Sequence, residues 1–265
     1  MRKQDKVLII GAGFAGLNLA RKLHKKGFEV FLVDKNNYHQ FQPLFYQVAT
    51  AGLEPASIVF PLRKAFQHYD GFHIRMAELV EIIPRQNKII TTENVMEYDY
   101  LVIATGVNTN FFGNKQIEEH AIPMKSVSEA LYMRNRFLQN LEDAYYADDE
   151  EKERLRNIVI VGGGPTGVEV SGAIADMKKY VLSKDYPELD FSLMKIFLIE
   201  GSSTLLGPMS KPAQQKSQEF LEKMGVNVIT GTVVKEYDGS IALLSNGDYI
   251  PTNTLIWAAG VTAGK

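Results

Sequence analysis

Residues 6–34 read KVLIIGAGFAGLNLARKLHKKGFEVFLVD. The first five, KVLII, form a short apolar run of the kind that lies buried in a parallel sheet. GAGFAG follows, with Gly11, Gly13 and Gly16 in GxGxxG spacing. Leu17, Leu19, Ala20 and Leu23 then carry an apolar face along a helix that ends at Gly27. FEVFLV makes a second strand, and Asp34 follows it, 23 residues after Gly11. The order strand, glycine turn, helix, strand, acid has a physical meaning. Gly11 permits the tight turn, Gly13 lets backbone approach a pyrophosphate, and Gly16 lets the helix pack against the strand. Backbone N–H groups at the helix start hold a phosphate anion, and the carboxylate accepts from ribose hydroxyls. The stretch predicts a dinucleotide-binding unit.

The device recurs. NIVIV at 157–161 is a strand, and GGGPTG places Gly162, Gly164 and Gly167 in the same spacing. A helix is expected from about Pro165, where a helix-start proline is at home, to about Tyr180. A polar insertion, SKDYPELD, delays the next strand, MKIFLI, which Glu200 closes in the position matching Asp34. A carboxylate there favours a free 2′-hydroxyl and repels a 2′-phosphate. No arginine lies in the following GSSTLL, so NADH is expected over NADPH. Two dinucleotide sites in one chain suggest one tightly held redox cofactor and one diffusible one, with electrons passing between them. The expected fold class is α/β, with two Rossmann-like dinucleotide-binding domains.

Elsewhere the pattern is plainer. Residues 36–51, NNYHQFQPLFYQVATA, mix aromatics and amides without a helix or strand period and read as a loop. Residues 57–69 look helical, and 74–106 read as strands with a turn at Gln86–Asn87. YDYLVIATG is expected to be a buried strand with a small-residue end, Ala104, Thr105 and Gly106; TLIWAAG closes the second half alike, with Ala258, Ala259 and Gly260. Ser126 and Glu129 have capping-box form, before a helix with Ala130, Met133, Phe137, Leu138, Leu141 and Ala144 on one face. The charge run ADDEEKER is expected to be a solvated turn or helix end. Residues 211–224 predict a helix ended by Gly225, and Asn246–Gly247 a hairpin turn. Glu169 is read in the first turn of the second glycine helix, where a carboxylate complements the dipole.

Composition excludes several function classes. The 265 residues are 45% hydrophobic and 23% charged with net charge −2, which suits a globular protein and gives no basic surplus for nucleic acid. There is no cysteine, hence no disulfide, thiolate metal site or redox dithiol in this chain. No histidine pair has metal-ligand spacing. No apolar run reaches the roughly 18 residues of a membrane span. The first 16 residues have the outline of a signal peptide, but the apolar run breaks into the glycine pattern, so a cytoplasmic location is expected.

The stretches IIGAGFAGLNLARKL, NNYHQFQPLFYQVATAGLEP, YDYLVIATG, IVIVGGGPTGVEVSGAIADM, LIEGSSTLL and LIWAAGV resemble the type II NADH:quinone oxidoreductases, single-subunit flavoproteins of pyridine nucleotide-disulfide reductase-like architecture. FQPLFYQVATAG and GGGPTGVEV are the more specific of these; GAGFAG and IATG occur in many flavin reductases. The resemblance implies FAD at Gly11, Gly13, Phe14, Ala15 and Gly16, with Asp34 on the adenosine ribose, Lys35 beside it, Val80 meeting the adenine through backbone, and Ala104, Thr105 and Gly106 near the pyrophosphate or ring. It implies NADH at Gly162, Gly164, Pro165, Thr166 and Gly167, with Glu200 on the ribose and Ala259 and Gly260 near the nicotinamide. The loop at 36–51 would line the flavin, with Gln42 and Gln47 facing the ring and Phe41, Leu44, Phe45 and Tyr46 packing; His39 could contact it too. Glu169 would lie by the nicotinamide, orienting its carboxamide or relaying a proton.

On this reading hydride passes from NADH to FAD and electrons go on to a membrane quinone, with Glu169 and Gln47 as the catalytic candidates. The resemblance implies domains at 1–115 (FAD), 116–260 (inserted, NADH) and 261–265 (the start of a return segment). Family members run further. The sequence is therefore expected to be a fragment without the FAD-domain return segment or the amphipathic C-terminal region that gives membrane attachment. FAD affinity is expected to be weakened. The parent protein is expected on the cytoplasmic side of the membrane, peripherally bound, and a homodimer is among the assemblies admitted. Two rivals stand beside this reading: a soluble NADH-dependent flavin reductase serving ferredoxin or another small redox protein, and a non-catalytic NAD(H)-binding module.

Overall fold

The computed structural model describes residues 5–264. The chain opens with β1 (Lys6–Ile10), α1 (Phe14–His24), β2 (Glu29–Asp34), β3 (Tyr38–Gln40) and the short α2 (Phe45–Ala49). Then come β4 (Val59–Pro61), α3 (Leu62–Ala65), β5 (Phe72–Met76), β6 (Leu79–Ile83), β7 (Lys88–Thr91), β8 (Val95–Glu97), β9 (Tyr100–Ile103) and β10 (Val107–Thr109). The next segment holds α4 (Lys115–His120), β11 (Ile122–Pro123), α5 (Val127–Asp143), α6 (Asp149–Arg156), β12 (Ile158–Val161), α7 (Pro165–Met177) and α8 (Ser183–Asp185). The last holds β13 (Ile196–Glu200), α9 (Lys211–Lys223), β14 (Val226–Thr230), β15 (Val234–Tyr237), β16 (Ile241–Leu244), β17 (Tyr249–Pro251), β18 (Thr254–Trp257) and β19 (Val261–Ala263). Contacts divide the chain into two compact units, one of residues up to 41, 58–107 and 263 onward, the other of 42–57 and 108–262.

The first unit is built on a four-stranded parallel sheet in the order β5-β2-β1-β9. Alternation along β1 sets its two faces. Val7 and Ile9 join Leu17, Ala20, Leu32, Leu62 and Phe66 under α1 and α3. Leu8 and Ile10 join Val33, Ile89 and Met96 under the antiparallel sheet β6-β7-β8. Each fully buried aliphatic here contributes about 1.5–3 kcal/mol. β9 departs from the buried strand expected of YDYLVIATG. It is the sheet's end strand, so Tyr100 and Ile103 stay 56% and 59% exposed.

The second unit repeats the layering on a five-stranded parallel sheet, β11-β18-β12-β13-β14. Val159, Val161, Ile199, Leu255 and Trp257 pack against the antiparallel sheet β15-β16-β17 and α4. α5, α7 and α9 pack on the sheet as well, beside the fully buried Ile158, Ile160, Leu198 and Ile256. α5 starts with the expected capping box: Glu129 N donates to Ser126 Oγ, and Ser126 N to the Glu129 carboxylate. Its predicted face is buried at Ala130, Met133, Phe137, Leu141 and Ala144.

Three local expectations give way. Residues 57–69 are not one helix. Val59–Pro61 pair with Tyr38–Gln40 as a ribbon, and only the single turn of α3 follows Pro61. ADDEEKER forms most of the helix α6, because Asp148 caps it by accepting from Glu151 N. The 36–51 loop holds α2, which packs on α5 and α7 with Phe45, Val48 and Ala49 buried. Phe45 is therefore a core residue, whereas Phe41 remains 42% exposed.

Candidate functional site

Each unit carries its own glycine turn, and the two are built alike. In the first, Gly11 leaves β1 at φ +101° and its N–H donates to Val33 O at 2.7 Å. A methyl on Gly11 would strike the Ala104 carbonyl, and one on Gly16 the Gly11 carbonyl, whereas one on Gly13 would meet nothing within 4 Å. Two glycines are thus required by the protein's own packing, while the middle one leaves open space over the turn. α1 starts at that space with no side-chain cap and no acid in its first turn. An uncapped helix start of this kind is suited to an anion. By contrast α4, α5 and α6 are capped by Asn114, Ser126 and Asp148.

Asp34 binds the turn itself. Its carboxylate accepts from Ala12 N and Asn36 N, both at 2.7 Å, and keeps further lone pairs for a ligand. Lys35 beside it is exposed. Ala104 is anchored through its N–H to Ile10 O at 2.7 Å, and Thr105 and Gly106 lie exposed beyond it. Val80 falls in the register shift between the Leu79 and Glu81 pairings and is 64% exposed. Phe14 and Ala15 are exposed on the first turn of α1. The Phe14 ring meets His39 and Phe41 edge-on at 5.3 and 5.5 Å. His39 Nδ1 lies 2.9 Å from Ala12 O, so the ring carries a proton on Nδ1.

In the second unit Gly162 leaves β12 at φ +109°, and its N–H donates to Ile199 O at 2.8 Å. A Cβ on Gly162 would come within 2.7 Å of Ala259 N, and one on Gly167 would strike the Gly162 carbonyl; one on Gly164 would meet nothing within 4 Å. α7 begins with Pro165 and Thr166 and has no side-chain cap. Glu200 Oε2 accepts from Gly163 N at 2.5 Å, and Oε1 from Ser202 N at 2.7 Å and Ser202 Oγ at 2.6 Å. Burial raises the Glu200 pKa, but the Ser202 and Gly163 hydrogen bonds outweigh it and hold the carboxyl below its ordinary value. It is therefore an anion at neutral pH. A cavity of about 620 Å³ runs from Ile199–Gly201 and Thr232–Val234, past Gly162 and Gly164, to Ala258–Gly260 and the rings of Phe111, Phe112 and Trp257. Its volume, its bare glycine turn and its acid fit a dinucleotide.

Glu169 is the fifth residue of α7, just past the first turn in which it was expected: α7 starts at Pro165 and has no acid in that turn. The dipole effect fades within that turn, so it does not account for Glu169. Desolvation raises its pKa. Gln47 sits in α2 and turns back on its own segment: Nε2 donates to Tyr46 OH at 3.0 Å, and its backbone carbonyl accepts from Gly52 N at 2.7 Å. Sequence reasoning did not single out Phe111 and Phe112. The only signal was two aromatics before Gly113 in a stretch without a period. Among the described residues no group of three or more acidic or histidine side chains could hold a metal ion. No helix among them is long and apolar enough to cross a membrane.

The chain is similar to known proteins over nearly its whole length. The type II NADH:quinone oxidoreductases Ndh and NdhA of Mycobacterium tuberculosis are 30% and 33% identical to it over 99% and 98% of the chain. The chain spans 59% and 57% of their respective lengths. The structure of NDH2 from Plasmodium falciparum in complex with NADH superposes with a TM-score of 0.93 at 27% identity, covering 99% of this chain and 56% of that one. The sulfide:quinone oxidoreductase of Aquifex aeolicus shares the fold, with a TM-score of 0.76 at 20% identity over 96% of this chain and 58% of that one. Residues 5–265, which hold both glycine turns and both acids, match the pyridine nucleotide-disulphide oxidoreductase family, and the chain belongs to it.

Proposed function

We propose that this chain performs the nucleotide-binding steps of an FAD-dependent NADH:quinone oxidoreductase. The observation that carries the reading is the doubled site: two open glycine turns, each closed by a strand-end carboxylate, in a chain similar over nearly its whole length to type II NADH:quinone oxidoreductases. The first turn, with Gly11, Gly13, Phe14, Ala15 and Gly16, would hold FAD, Asp34 taking its ribose. When bound, the flavin supplies the two-electron chemistry that links a nicotinamide donor to a quinone acceptor. The second turn, with Gly162, Gly164, Pro165, Thr166 and Gly167, would hold NADH, Glu200 accepting from its ribose hydroxyls.

The chain's own contribution is positioning and charge. The N–H groups at the starts of α1 and α7 neutralise pyrophosphates. Glu200, held as an anion, selects a free 2′-hydroxyl, and no arginine follows it to receive a 2′-phosphate. Glu169, with a raised pKa and no dipole to satisfy, is suited to hold or pass a proton beside the nicotinamide. Gln47, Lys35, Val80, Thr105 and Gly106 belong to the flavin side of the same reading, and Ala259 and Gly260 to the nicotinamide side. The domain division at 1–115, 116–260 and 261–265, a membrane quinone as acceptor, peripheral attachment at the cytoplasmic face and a homodimer complete it.

The test is direct. The purified chain is titrated with NADH and with NADPH, then supplied with FAD and mixed with NADH anaerobically. Tight NADH binding, weak NADPH binding and bleaching of the flavin spectrum are expected. A chain that ignores both nucleotides would refute the reading.

A further inference from the structure

The segment after β10, residues 110–114, reads Asn-Phe-Phe-Gly-Asn and closes one end of the second unit's cavity. Hydrogen bonds pin it. Asn110 N donates to Gly260 O at 3.3 Å, Trp257 Nε1 to Asn110 O at 2.9 Å, Phe112 N to Asn110 Oδ1 at 2.8 Å, and Asn114 Nδ2 to Lys235 O at 2.7 Å. Held in this way, Phe112 adopts φ +53°, left-handed backbone that a bulky side chain rarely occupies. Burial does not compensate, since Phe112 is 69% exposed. Its ring is instead held against Gly260: a Cβ on Gly260 would come within 2.5 Å of Phe112 Cζ. Trp257 supports it edge-on at 6.4 Å, with Phe111 stacked on Trp257 at 5.6 Å. The turn of residues 111–114, closed by Asn114 N donating to Phe111 O at 3.0 Å with Gly113 at φ +78°, accounts for the left-handed backbone but not for an exposed aromatic at the cavity wall.

The sheet order says which half of a ligand this wall faces. β13, which ends in Glu200, and β18, which leads to Ala259 and Gly260, flank β12 on opposite sides. A dinucleotide whose pyrophosphate sits at Gly164, above β12, places its adenosine ribose toward Glu200 and its other half toward Gly260. The geometry points to Phe112 as a positioning residue that packs against the nicotinamide–ribose half of the dinucleotide; this rests on the NADH reading above. Gly260, itself at φ +74°, leaves the ring room to reach that position.

NADH and ADP, which lacks both the nicotinamide and its ribose, are titrated separately into the wild-type chain and into Phe112→Ala, Phe112→Tyr and Phe112→Gly. Phe112→Ala is expected to bind NADH about five- to tenfold more weakly, the range of one aromatic contact. ADP affinity should stay unchanged, which also shows that the site is folded. Phe112→Tyr should bind both ligands as wild type. Phe112→Gly relaxes the backbone, so it should melt no lower than wild type and yet lose NADH affinity as Phe112→Ala does. Unchanged NADH affinity in Phe112→Ala, or an equal loss for both ligands, would overturn the inference while leaving NADH binding intact. A wild-type chain that binds neither ligand would overturn the NADH reading and this inference with it.

Discussion

Gly164 and Gly167 belong to one motif, yet alanine at each should fail in a different way. At Gly167 the added methyl would run into the Gly162 carbonyl, a backbone atom tied into the turn by the Gly162 N–H to Ile199 O bond. Neither partner can rotate aside, so α7 must shift off β12. Overpacking costs about 1–3 kcal/mol, and a clash with backbone belongs at the top of that range. At about 2–4 °C per kcal/mol, Gly167→Ala should lower the melting temperature by about 6–12 °C. At Gly164 the methyl meets nothing within 4 Å and the backbone, at φ −73°, suits alanine. Its folding cost is that of a poorer helix cap, about 1 kcal/mol at most. The same methyl occupies the space proposed for the pyrophosphate. Displacing even one charge-assisted hydrogen bond costs about 1.5–3 kcal/mol, so NADH affinity should fall about tenfold or more. Trp257, the single tryptophan, lies in the second unit and lines the cavity, so its fluorescence reports both unfolding and binding. A Gly164→Ala protein that binds NADH like wild type would refute the placement of the pyrophosphate. A Gly167→Ala protein that melts like wild type would refute the packing argument.

Three further outcomes are expected. Ser126→Ala breaks the capping box of α5 and should cost about 1 kcal/mol, read as a small drop in melting temperature with no change in NADH affinity. Glu169→Gln in the intact parent protein should slow quinone-linked NADH oxidation far more than it weakens FAD binding; unchanged flavin reduction and quinone turnover there would remove Glu169 from the mechanism. Glu200 has a folded pKa below its ordinary value of 4.5, so its stabilisation is complete above that value and is lost as pH falls through the lower, folded one. Acid unfolding of Glu200→Gln, followed by circular dichroism, should therefore show a shallower loss of stability in that window than wild type.

Much of the site was legible because its parts are local. Gly11 to Asp34 and Gly162 to Glu200 are each one strand-turn-helix-strand unit, and short-range sterics fix where their glycines and acids go. Residues 57–69 misled because their apolar residues suit a helix, while the ribbon of Val59–Pro61 with Tyr38–Gln40 depends on a partner strand some 20 residues away. The exposure of β9 is a property of sheet order, which no single strand encodes. Phe112 was invisible for the same reason. Its role needs Gly260, Trp257 and Lys235, more than 120 residues downstream, to bring the segment to the cavity.

The two acids hold the glycine turns as well as standing where we propose a ribose binds, which bears on how their variants are read. Asp34 accepts from the residue after the first glycine and from the residue two places beyond itself, and Glu200 does the same at Gly163 and Ser202. Asp34 and Glu200 differ by one methylene, yet each reaches the same two kinds of backbone donor. Selection for a ribose contact alone would not demand that repeated pattern, because a ribose could be met by a carboxylate free of the turn. The shared geometry follows if the acid also holds the glycine turn in its ligand-ready shape before any nucleotide arrives, which lowers the cost of ordering it on binding. A lost affinity in an Asp34 or Glu200 variant therefore mixes a missing ribose acceptor with a loosened turn. Gly164 separates the two: its Cα faces the open space, it supports no neighbouring side chain, and a methyl there tests the ligand's path without touching the turn's own bonds.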